Sequence, residues 1–358
     1  MKKNNQLRLK DIAQDSGVSI ATVSRFMNGV KVTDDTARSI DLVLQKRGFS
    51  RLNNAKIELC TASSPSIVGM IVPDIRHNYI STIVAGAMES ARNNNQVILL
   101  ASSDSSGLIE RGHLSIFSRI HIDGLIYIPV ASWAGSVPDE IALFDGIPVV
   151  VAARRNVLKN RPHVYVDNIT AGYLATKYLL NLGHRKIAFI AGTWENPFDL
   201  CNMRELVQDE SKIGGFASLD RFKGYLRALE EFSIPYEPEL ATICPWSFEG
   251  GKNAIADLIG KVPVIDGVVT TSDTMASGVV DTLKSHGFSI PNNISVMGWD
   301  NSELARFTDP QLTSVEQPSK KMGMSASDLI HRMRHHEVVE NIVYSVNIVP
   351  RGSTALKK

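Results

Sequence analysis

The chain has 358 residues, of which 44% are hydrophobic and 21% are charged. These fractions exclude a largely disordered, collagen-like or coiled-coil chain. No apolar run approaches the roughly 18 residues of a membrane helix, and no apolar signal segment follows the N-terminal MKKNNQ. We therefore expect a cytoplasmic protein of two or three domains with no membrane partner.

The cysteines and sequence motifs argue against an enzyme. Cys60, Cys201 and Cys244 fit neither a disulfide framework nor a zinc spacing, which favours a reducing compartment. GxGxxG after the first strand, GxxxxGK[ST], HExxH and GxSxG are all absent. The pair His335 and His336 is more typical of an exposed helix end than of a metal site. The sequence therefore predicts no catalytic residue, no metal and no cofactor.

The charge is distributed unevenly along the chain. Residues 1–56 carry eleven basic and five acidic residues, a net charge of +6, whereas the remainder carries −5. A basic end of this kind often binds a polyanion through counterion release. A solvated surplus of charge without a partner is the alternative.

Residues 9–28, LKDIAQDSGVSIATVSRFMN, predict two helices joined by a tight turn. Leu9, Ile12 and Ala13 recur at helical spacing, and small Ala13 allows a second helix to cross closely. Gly17 follows where the turn requires a positive φ or minimal bulk. This spacing indicates a DNA-reading helix-turn-helix, and a two-helix cap on an enzyme is the alternative.

The second helix would read DNA through its N-terminal residues. Ser19 is expected to cap it, and Val23 and Phe26 would pack on the first helix. The side chains that would face DNA are Ile20, Ala21, Thr22, Ser24 and Arg25. Of these, Ala21 suits a thymine methyl group, Arg25 suits guanine, and the hydroxyls of Thr22 and Ser24 suit phosphates. A third helix should run from about Asp34 to Arg47, capped by Thr33, with its buried face formed by Ala37, Ile40 and Leu44.

The string LKDIAQDSGVSIATVSRFMNG resembles the head of the lactose-repressor (LacI/GalR) family of bacterial transcription regulators. The family pattern is close to LKDVAxxAGVSxxTVSRVLNG. The resemblance continues through six further segments: GMIVPDI (69–75), HIDGLI (121–126), GIPVVV (146–151), VDNITAGYLATKYLLNLGHRKIAFIAG (166–192), DRFKGYLRAL (220–229) and SVMGWD (295–300). It implies a sequence-specific regulator, most simply a repressor, and adds Asn28 to the DNA-binding residues.

Beyond the head, short β-rich runs alternate with helical stretches, which predicts parallel α/β sheets. The expected strands are 67–72, 97–101, 124–129, 148–152, 163–166, 186–191, 267–271 and 295–298, and the expected helices include 80–93, 171–182, 221–231 and 274–286. Nearly 300 such residues exceed one comfortable core, so two lobes are expected. The family implies an α/β chain with a small all-α head and a body like a periplasmic binding protein, with doubly wound parallel sheets.

The resemblance also implies domain boundaries. The head would span residues 1–50, the hinge linker 51–66, and the effector-binding and dimerisation core 67–358. Within the core, lobe 1 would comprise about 67–167 plus 318–345, and lobe 2 about 168–317 plus 346–357.

The linker departs from the family pattern YxPNxxARSL, in which a leucine wedges into the minor groove. Arg51 replaces the proline, and Glu58 occupies the wedge position. Because a carboxylate between base pairs would be costly, Leu59 or Ile57 is expected to serve instead. A linker without any wedge is the alternative.

Family positions also mark an effector cleft at the carboxyl ends of strands. The implied effector-binding residues are Tyr79, Arg154, Arg221, Trp246, Ser272, Asp300 and Gln317. Arg221 and Asp300 would supply donors and acceptors to vicinal hydroxyls, and Trp246 and Tyr79 would offer ring faces. The alternatives are a surface ion pair for Arg221, a core role for Trp246 and a helix-start role for Tyr79.

Two departures bear on the effector. Ala153 stands where the family often has an aspartate, followed by Arg154 and Arg155, and Ser272 replaces the usual asparagine or aspartate. These changes favour a more anionic or less hydroxylated effector, and a sugar phosphate or acid sugar is one hypothesis. The segment 193–219 is longer than in the family and would form a lid, a dimer contact or a disordered loop.

The sequence therefore predicts a homodimeric repressor of carbohydrate-utilisation genes that binds double-stranded operator DNA. A small sugar, sugar phosphate or acid sugar would alter operator affinity by linkage. A cytoplasmic sugar-binding module without operator function and a transcriptional activator are the alternatives.

Overall fold

The computed structural model describes residues 9–27, 30–46, 65–130, 138–194, 203, 207 and 215–357. The chain forms two compact units, residues 1–63 and 64–358. They are the head and the body. Among the described residues, no helix is long and apolar enough to cross a bilayer. Asn28, Leu59, residues 51–64 of the linker and most of the segment 193–219 lie outside the described residues.

The described residues of the head form three helices: α1 (Leu9–Ser16), α2 (Ile20–Met27) and α3 (Asp34–Lys46). Their shared core is formed by Ile12, Ala13, Val23, Phe26, Ile40 and Leu44. The predicted packing of Val23 and Phe26 on the first helix is therefore confirmed. Gly17 has φ +68°, and Val18 N donates to Ala13 O at 3.1 Å, which closes the turn after α1.

The body contains two six-stranded sheets. Sheet A comprises β1 (Ser66–Val72), β2 (Gln96–Ser102), β3 (Gly124–Tyr127), β4 (Val149–Ala152), β5 (His163–Val166) and β11 (Ile342–Tyr344). Sheet B comprises β6 (Ile187–Thr193), β7 (Ala241–Pro245), β8 (Gly267–Thr270), β9 (Ser295–Asp300), β10 (Thr313–Glu316) and β12 (Asn347–Val349). The predicted α/β class with parallel sheets is confirmed.

The sheets have equivalent topologies. Sheet A has the order β11-β5-β4-β3-β1-β2 and is parallel throughout, with Met70 of β1 beside Leu100 of β2 and Ile126 of β3. Sheet B has the order β12-β10-β9-β8-β6-β7, and only β12 is antiparallel to its neighbour. The chain passes from sheet A to sheet B after Val166, returns after Glu316, and passes to sheet B again after Tyr344.

Helices cover the sheets, because strands that are buried on both faces need a layer on each side. The α-helices bounded within the described part of the body are α4 (Asn78–Asn93), α5 (Gly107–Arg119), α6 (Asn168–Asn181), α7 (Ala217–Glu231), α8 (Phe248–Lys261), α9 (Asp273–Ser285), α10 (Glu303–Phe307) and α11 (Ser319–Arg334). Serine side chains cap α5, α8 and α9, and Asp167 caps α6. Each cap satisfies a backbone N–H that the helix leaves free.

The sequence does not predict four of the strands, and it misplaces the start of α7. β11 and β12 have only three residues each, β10 is polar, and β7 ends at a proline, so none shows a long apolar run. The predicted start of α7 at Arg221 is wrong, because the helix begins one turn earlier at Ala217. Asp220 and Arg221 made that turn look like a polar loop, although both side chains are buried.

Close helix pairs hold each sheet's covering layer together. A Cβ at Gly172 of α6 would collide with the carbonyl oxygen of Arg221, and one at Gly224 of α7 would collide with that of Ile169. The α4–α11 pair repeats this arrangement, since a Cβ at Gly86 would collide with the carbonyl oxygen of Lys320. The backbone of α7 at Arg221 is therefore seated directly on α6.

Replacing Gly172 by alanine should push α7 away from α6 and destabilise the body by about 1–3 kcal/mol, the usual cost of overpacking a core. Urea unfolding of the full chain measures this change. Gly260→Ala is the matched control, because a Cβ at this helical glycine meets nothing within 4 Å. The control should be neutral or gain up to about 1 kcal/mol, and equal stabilities for the two variants would contradict the close contact.

Candidate functional site

The head exposes the N-terminal part of α2. Ser19, Ile20, Ala21 and Arg25 are exposed, and Thr22 and Ser24 are half-buried. Ser19 Oγ accepts from Thr22 N at 3.0 Å, which confirms the predicted cap. Ile20 is 49% exposed, an unusual position for a large apolar residue beside a small core. An apolar side chain there suits contact with a thymine methyl group.

A cavity in the body lies where strands of both sheets end. It is bordered by residues that follow β1, β3 and β4 of sheet A and β6 to β9 of sheet B: His77, Tyr79, Ile80, Ile128, Pro129, Ala153, Arg154, Trp194, Phe216, Ala217, Arg221, Trp246, Thr271 and Asp300. Its volume is about 50 Å³. Small-molecule sites usually measure roughly 300–1,000 Å³, so this cavity is smaller than a typical ligand site.

Arg221 is the most heavily bonded side chain at this cavity. Its Nε donates to Asn168 Oδ1 and its Nη1 to Thr271 O, each at 2.8 Å, while Nη2 reaches Gln317 Oε1 at 3.5 Å. The guanidinium carbon lies 4.3 Å from the ring centre of Trp299. Arg221 is 3% exposed, which excludes the surface ion pair, and burial lowers its pKa to about 10.

Asp300 lies opposite Arg221 at the end of β9. Gln317 Nε2 donates to Asp300 Oδ1 at 2.7 Å, so Gln317 connects the two charged groups. The φ of Asp300 is +100°, a strained value for a residue other than glycine. Burial raises the pKa of Asp300 well above its usual range, and the charge of Asp273 adds to this effect. A carboxyl group in this position can bond a ligand hydroxyl.

Asp273 and nearby hydroxyls hold the strained loop that follows β9. Asp273 Oδ2 accepts from Ser302 N at 2.7 Å and from Ser302 Oγ at 2.9 Å, and Oδ1 accepts from Ser314 Oγ at 2.6 Å. Asn301 N donates to Ser314 Oγ at 3.0 Å. These bonds fix the backbone that follows Asp300.

Aromatic rings form much of the remaining wall. The ring centres of Trp194 and Trp246 are 5.9 Å apart, and His77 meets both edge-on at 5.3 and 5.9 Å. Trp246 lines the cavity and also packs against the hydrophobic core of sheet B. Tyr79 is the second residue of α4 and also lines the cavity, with its hydroxyl 3.8 Å from Met322 Sδ.

Arg154 lies on the lobe 1 side of the cavity, after β4. Its Nη2 donates to Val130 O at 3.2 Å, and its guanidinium carbon lies 5.5 Å from the ring centre of Phe216. It is 5% exposed, and burial lowers its pKa to about 10, although the carboxylate of Glu110 opposes that shift. The preceding Ala153 has φ +64°, which turns the chain into the cavity.

Ser272 does not line the cavity. Its side chain is fully buried and accepts from Met275 N at 3.2 Å, which caps α9. Its neighbour Thr271 borders the cavity instead. The structure therefore brings together six of the seven predicted effector residues and places Ser272 beside them in a capping role.

Several residues at the site were not predicted. These residues, which the fold brings to the site, are His77, Trp194, Phe216, Thr271 and Asn168. Only Trp194 could have been predicted from the sequence, because it directly follows a strand.

Arg155 forms a second unpredicted feature: its Nε and Nη2 donate to the two Asp220 oxygens at 2.7 and 2.6 Å. Because Arg155 follows β4 and Asp220 belongs to α7, this ion pair bridges the lobes.

The fold and the two sites define a class: a helix-turn-helix DNA-binding protein with a two-lobed body that encloses a small-molecule cleft. Residues 8–51 match the family described as bacterial regulatory proteins, lacI family, and residues 176–354 match the periplasmic binding protein-like domain. The chain belongs to the LacI/GalR family and is a DNA-binding transcriptional regulator.

Two relatives match this chain along most of their length. The HTH-type transcriptional regulator RegA of Clostridium saccharobutylicum is 29% identical over 97% of this chain and 98% of its own. Catabolite control protein A of Priestia megaterium is 28% identical over 93% and 94%, respectively. The first of these is named as a regulator of transcription, and the second as a control protein.

Solved structures agree on the fold. The transcription regulator CcpA of Lactococcus lactis has a TM-score of 0.69 and 27% identity, covering 81% of this chain and 99% of its own. A lac repressor dimer bound to operator and the anti-inducer ONPF has a TM-score of 0.75, covering 98% of this chain and 99% of its own. At 19% identity, the latter match supports the fold alone.

Breaking the bridge between Arg155 and Asp220 should destabilise the body. Asp220 is 1% exposed in its side chain, so Asp220→Ala removes a buried carboxylate that neutralises the guanidinium of Arg155 and should cost about 3–5 kcal/mol in urea unfolding of the full chain. Arg155→Ala should cost a similar amount, and the double variant should cost clearly less than the sum. Strict additivity of the two changes would show that the pair does not bridge the lobes.

Proposed function

We propose that this regulator is a homodimeric repressor of carbohydrate-utilisation genes, and that a small sugar-like effector bound between its lobes changes its operator affinity. The observation that carries this proposal is the hydrogen-bonded Arg221–Gln317–Asp300 group beside aromatic rings. Such a group offers donors, acceptors and apolar faces to a hydroxylated ring.

The location of Gln317 supports linkage between ligand and DNA. Gln317 follows β10, where the chain leaves sheet B and continues into α11 beside sheet A. A ligand that displaces Gln317 or Arg221 therefore acts on a connection between the lobes. If the effector and the operator prefer different lobe arrangements, each must change the affinity for the other by the same factor.

An exposed apolar surface on lobe 1 supports the homodimer. Val97 and Leu99 of the edge strand β2 lie on the sheet face that carries α5 and are 52% and 38% exposed. On α5, Ile109, Ile116 and Ile120 are 42%, 54% and 45% exposed at helical spacing. Large apolar surfaces of this kind commonly mark protein interfaces, and a second copy supplies the second DNA head that a two-fold operator requires.

The recognition helix gives a direct test of DNA reading. Sites selected from a random duplex library by the full chain should contain two inverted half-sites. Arg25→Ala should lose selectivity at one base position in each half-site, by about 1–3 kcal/mol, because a bidentate contact to guanine is removed. Competition binding measures the selectivity.

Lys10→Ala is the matched control, since it removes an exposed charge from α1. It should weaken binding to all sequences alike and reduce the salt dependence. If Arg25→Ala retained the selectivity of the original chain, the proposed orientation of α2 on DNA would be wrong.

The two buried arginines support an effector that carries an anionic group, such as a sugar phosphate or acid sugar. Arg154 and Arg221 both border the cavity, whereas Asp300 is its only acidic lining residue among those described. The raised pKa of Asp300 further reduces the negative charge there. A single anionic group near Arg154 would gain a charge-assisted hydrogen bond in a water-poor site.

A thermal-shift panel of hexoses, pentoses, acid sugars and sugar phosphates tests this preference on the full chain. A compound at 100 times its dissociation constant adds about 2.7 kcal/mol to the native state. Arg154→Ala should abolish the shift by anionic compounds because it removes their cationic partner. Arg76→Ala, at an arginine whose side chain is 74% exposed, is the control and should preserve every shift. Unchanged anion affinity in Arg154→Ala would refute the anionic effector.

A further inference from the structure

The β4–β5 loop, residues 153–162, carries contacts that reach from lobe 1 to lobe 2. Arg155 pairs with Asp220 of α7. The backbone carbonyl of Arg155 also lies directly against Gly215, where a Cβ would collide with the oxygen. The preceding Arg154 borders the cavity. The position of this loop therefore decides whether the bridge between the lobes can form.

The backbone of the β4–β5 loop is held in conformations that a free chain disfavours. Ala153 has φ +64° and Asn156 has φ +56°, both in the left-handed region. Residues other than glycine rarely adopt such values unless their surroundings impose them. The loop contains no helix or strand, so its conformation depends on hydrogen bonds from neighbouring elements.

The imidazole of His163 supplies two of these bonds. Val157 N and Leu158 N both donate to His163 Nε2, at 3.2 and 3.3 Å. His163 is the first residue of β5, and its own backbone N donates to Asn341 Oδ1 at 2.8 Å. Since His163 is 4% exposed, water has little access to replace the ring as an acceptor.

This arrangement requires a neutral imidazole. A ring nitrogen that accepts N–H groups carries no proton, so the proton of the neutral ring lies on Nδ1. Burial lowers the pKa of His163, while hydrogen bonds with the backbone of Arg161 and the side chain of Asn341 oppose the shift. Protonation of Nε2 would direct its N–H at two other N–H groups and break both bonds.

The charged groups beside His163 are bonded or exposed. They are Arg154, Arg155, Lys159 and Arg161 in the loop and Glu340 before β11. Each arginine donates to a protein acceptor, and Lys159 and Glu340 are exposed. The adjacent strand β4 has the sequence VVVA and contributes no titratable group. His163 is therefore the group in this region whose charge responds to mild acid.

We propose that His163 is a positioning residue whose neutral ring holds the β4–β5 loop against lobe 2, and that acid releases the loop together with the Arg155–Asp220 bridge. Protonation favours the released loop, because only there does the ring reach its ordinary pKa of about 6.5. The bridge should thus be fully formed above this pH and should be lost as the pH falls through the lower pKa of the bound ring. The inference concerns the bridge and needs no effector.

The first test measures the bridge by double-mutant cycles in several backgrounds. Urea unfolding of the full chain with Arg155→Ala, Asp220→Ala and both changes gives the interaction free energy of the pair. At about pH 7.5, His163→Leu should reduce this interaction by about half or more, because it removes the acceptor of both loop N–H groups. His163→Gln should retain most of it, because the amide oxygen can occupy the place of Nε2.

The second test repeats the cycles at about pH 5.0, below the ordinary pKa of histidine. The unaltered chain should lose about half or more of the Arg155–Asp220 interaction, whereas His163→Gln should retain it because an amide does not titrate. His113→Gln is the matched control, since it changes a histidine of α5 in the same lobe. It should respond to acid as the unaltered chain does.

Each outcome decides for or against this role of His163. If His163→Leu destabilises the chain but leaves the Arg155–Asp220 interaction intact, the residue has a local structural role and the proposal is overturned. If His163→Gln loses the interaction in acid as the unaltered chain does, another group is responsible, and the proposal is again overturned. These cycles contain no DNA and no sugar, so their result is independent of the proposed function.

The His163→Gln comparison also covers the case in which His163→Leu does not fold. An acid loss of the interaction that is seen in the unaltered chain and in His113→Gln, but not in His163→Gln, supports the proposal by itself. An interaction that is the same at both pH values in the unaltered chain would overturn it.

Discussion

The buried guanidinium of Arg221 organises the effector cleft. It donates hydrogen bonds to acceptors in α6 and at the end of β8, and it also reaches Gln317 after β10. It lies over the ring of Trp299 in β9. A buried cation requires such partners, because an unpaired charge away from water would be prohibitively costly. Arg221 therefore connects the ends of β8 and β9 with the segment after β10, where the chain crosses between the lobes.

Two contacts beside Arg221 hold the helix that carries it and connect that helix to the other lobe. The contact between α6 and α7 at Gly172 fixes the backbone that carries Arg221. The adjacent Asp220 instead pairs with Arg155 across the lobes, next to Arg154 in the same cavity wall. Arg155 and Asp220 thus join the lobes, whereas their sequence neighbours Arg154 and Arg221 border the cavity. A ligand that rearranges the arginines acts directly on the bridge.

Sequence patterns predicted the parts of the fold that have strong local signals. β1 is an apolar run buried on nearly every residue, and the head combines helical spacing with a glycine at a positive φ. β11 and β12 lack such a signal, since strands of three residues depend on their neighbours rather than on their own pattern. The start of α7 was misplaced because tertiary packing buries polar side chains that would otherwise indicate a loop.

The same distinction applies to the cleft. Family positions predicted Arg221, Asp300 and Gln317, which the structure joins by hydrogen bonds. Ser272 shows the limit of this reasoning, because a family position does not reveal that a serine caps a helix. His77 and Phe216 come from loops far apart in the chain, and only the packing of the two lobes brings them to one cavity.

The central claim is that occupancy of the cleft around Arg221 controls DNA binding. Its most direct test is to measure, for the full chain and for Arg221→Lys, the affinity for a selected operator duplex with and without the sugar that binds most tightly. We expect the sugar to change the operator affinity of the unaltered chain, and the operator to change the sugar affinity by the same factor. Arg221→Lys should lose both effects and should still bind DNA. An operator affinity that is independent of a bound sugar, or a full response in Arg221→Lys, would contradict it.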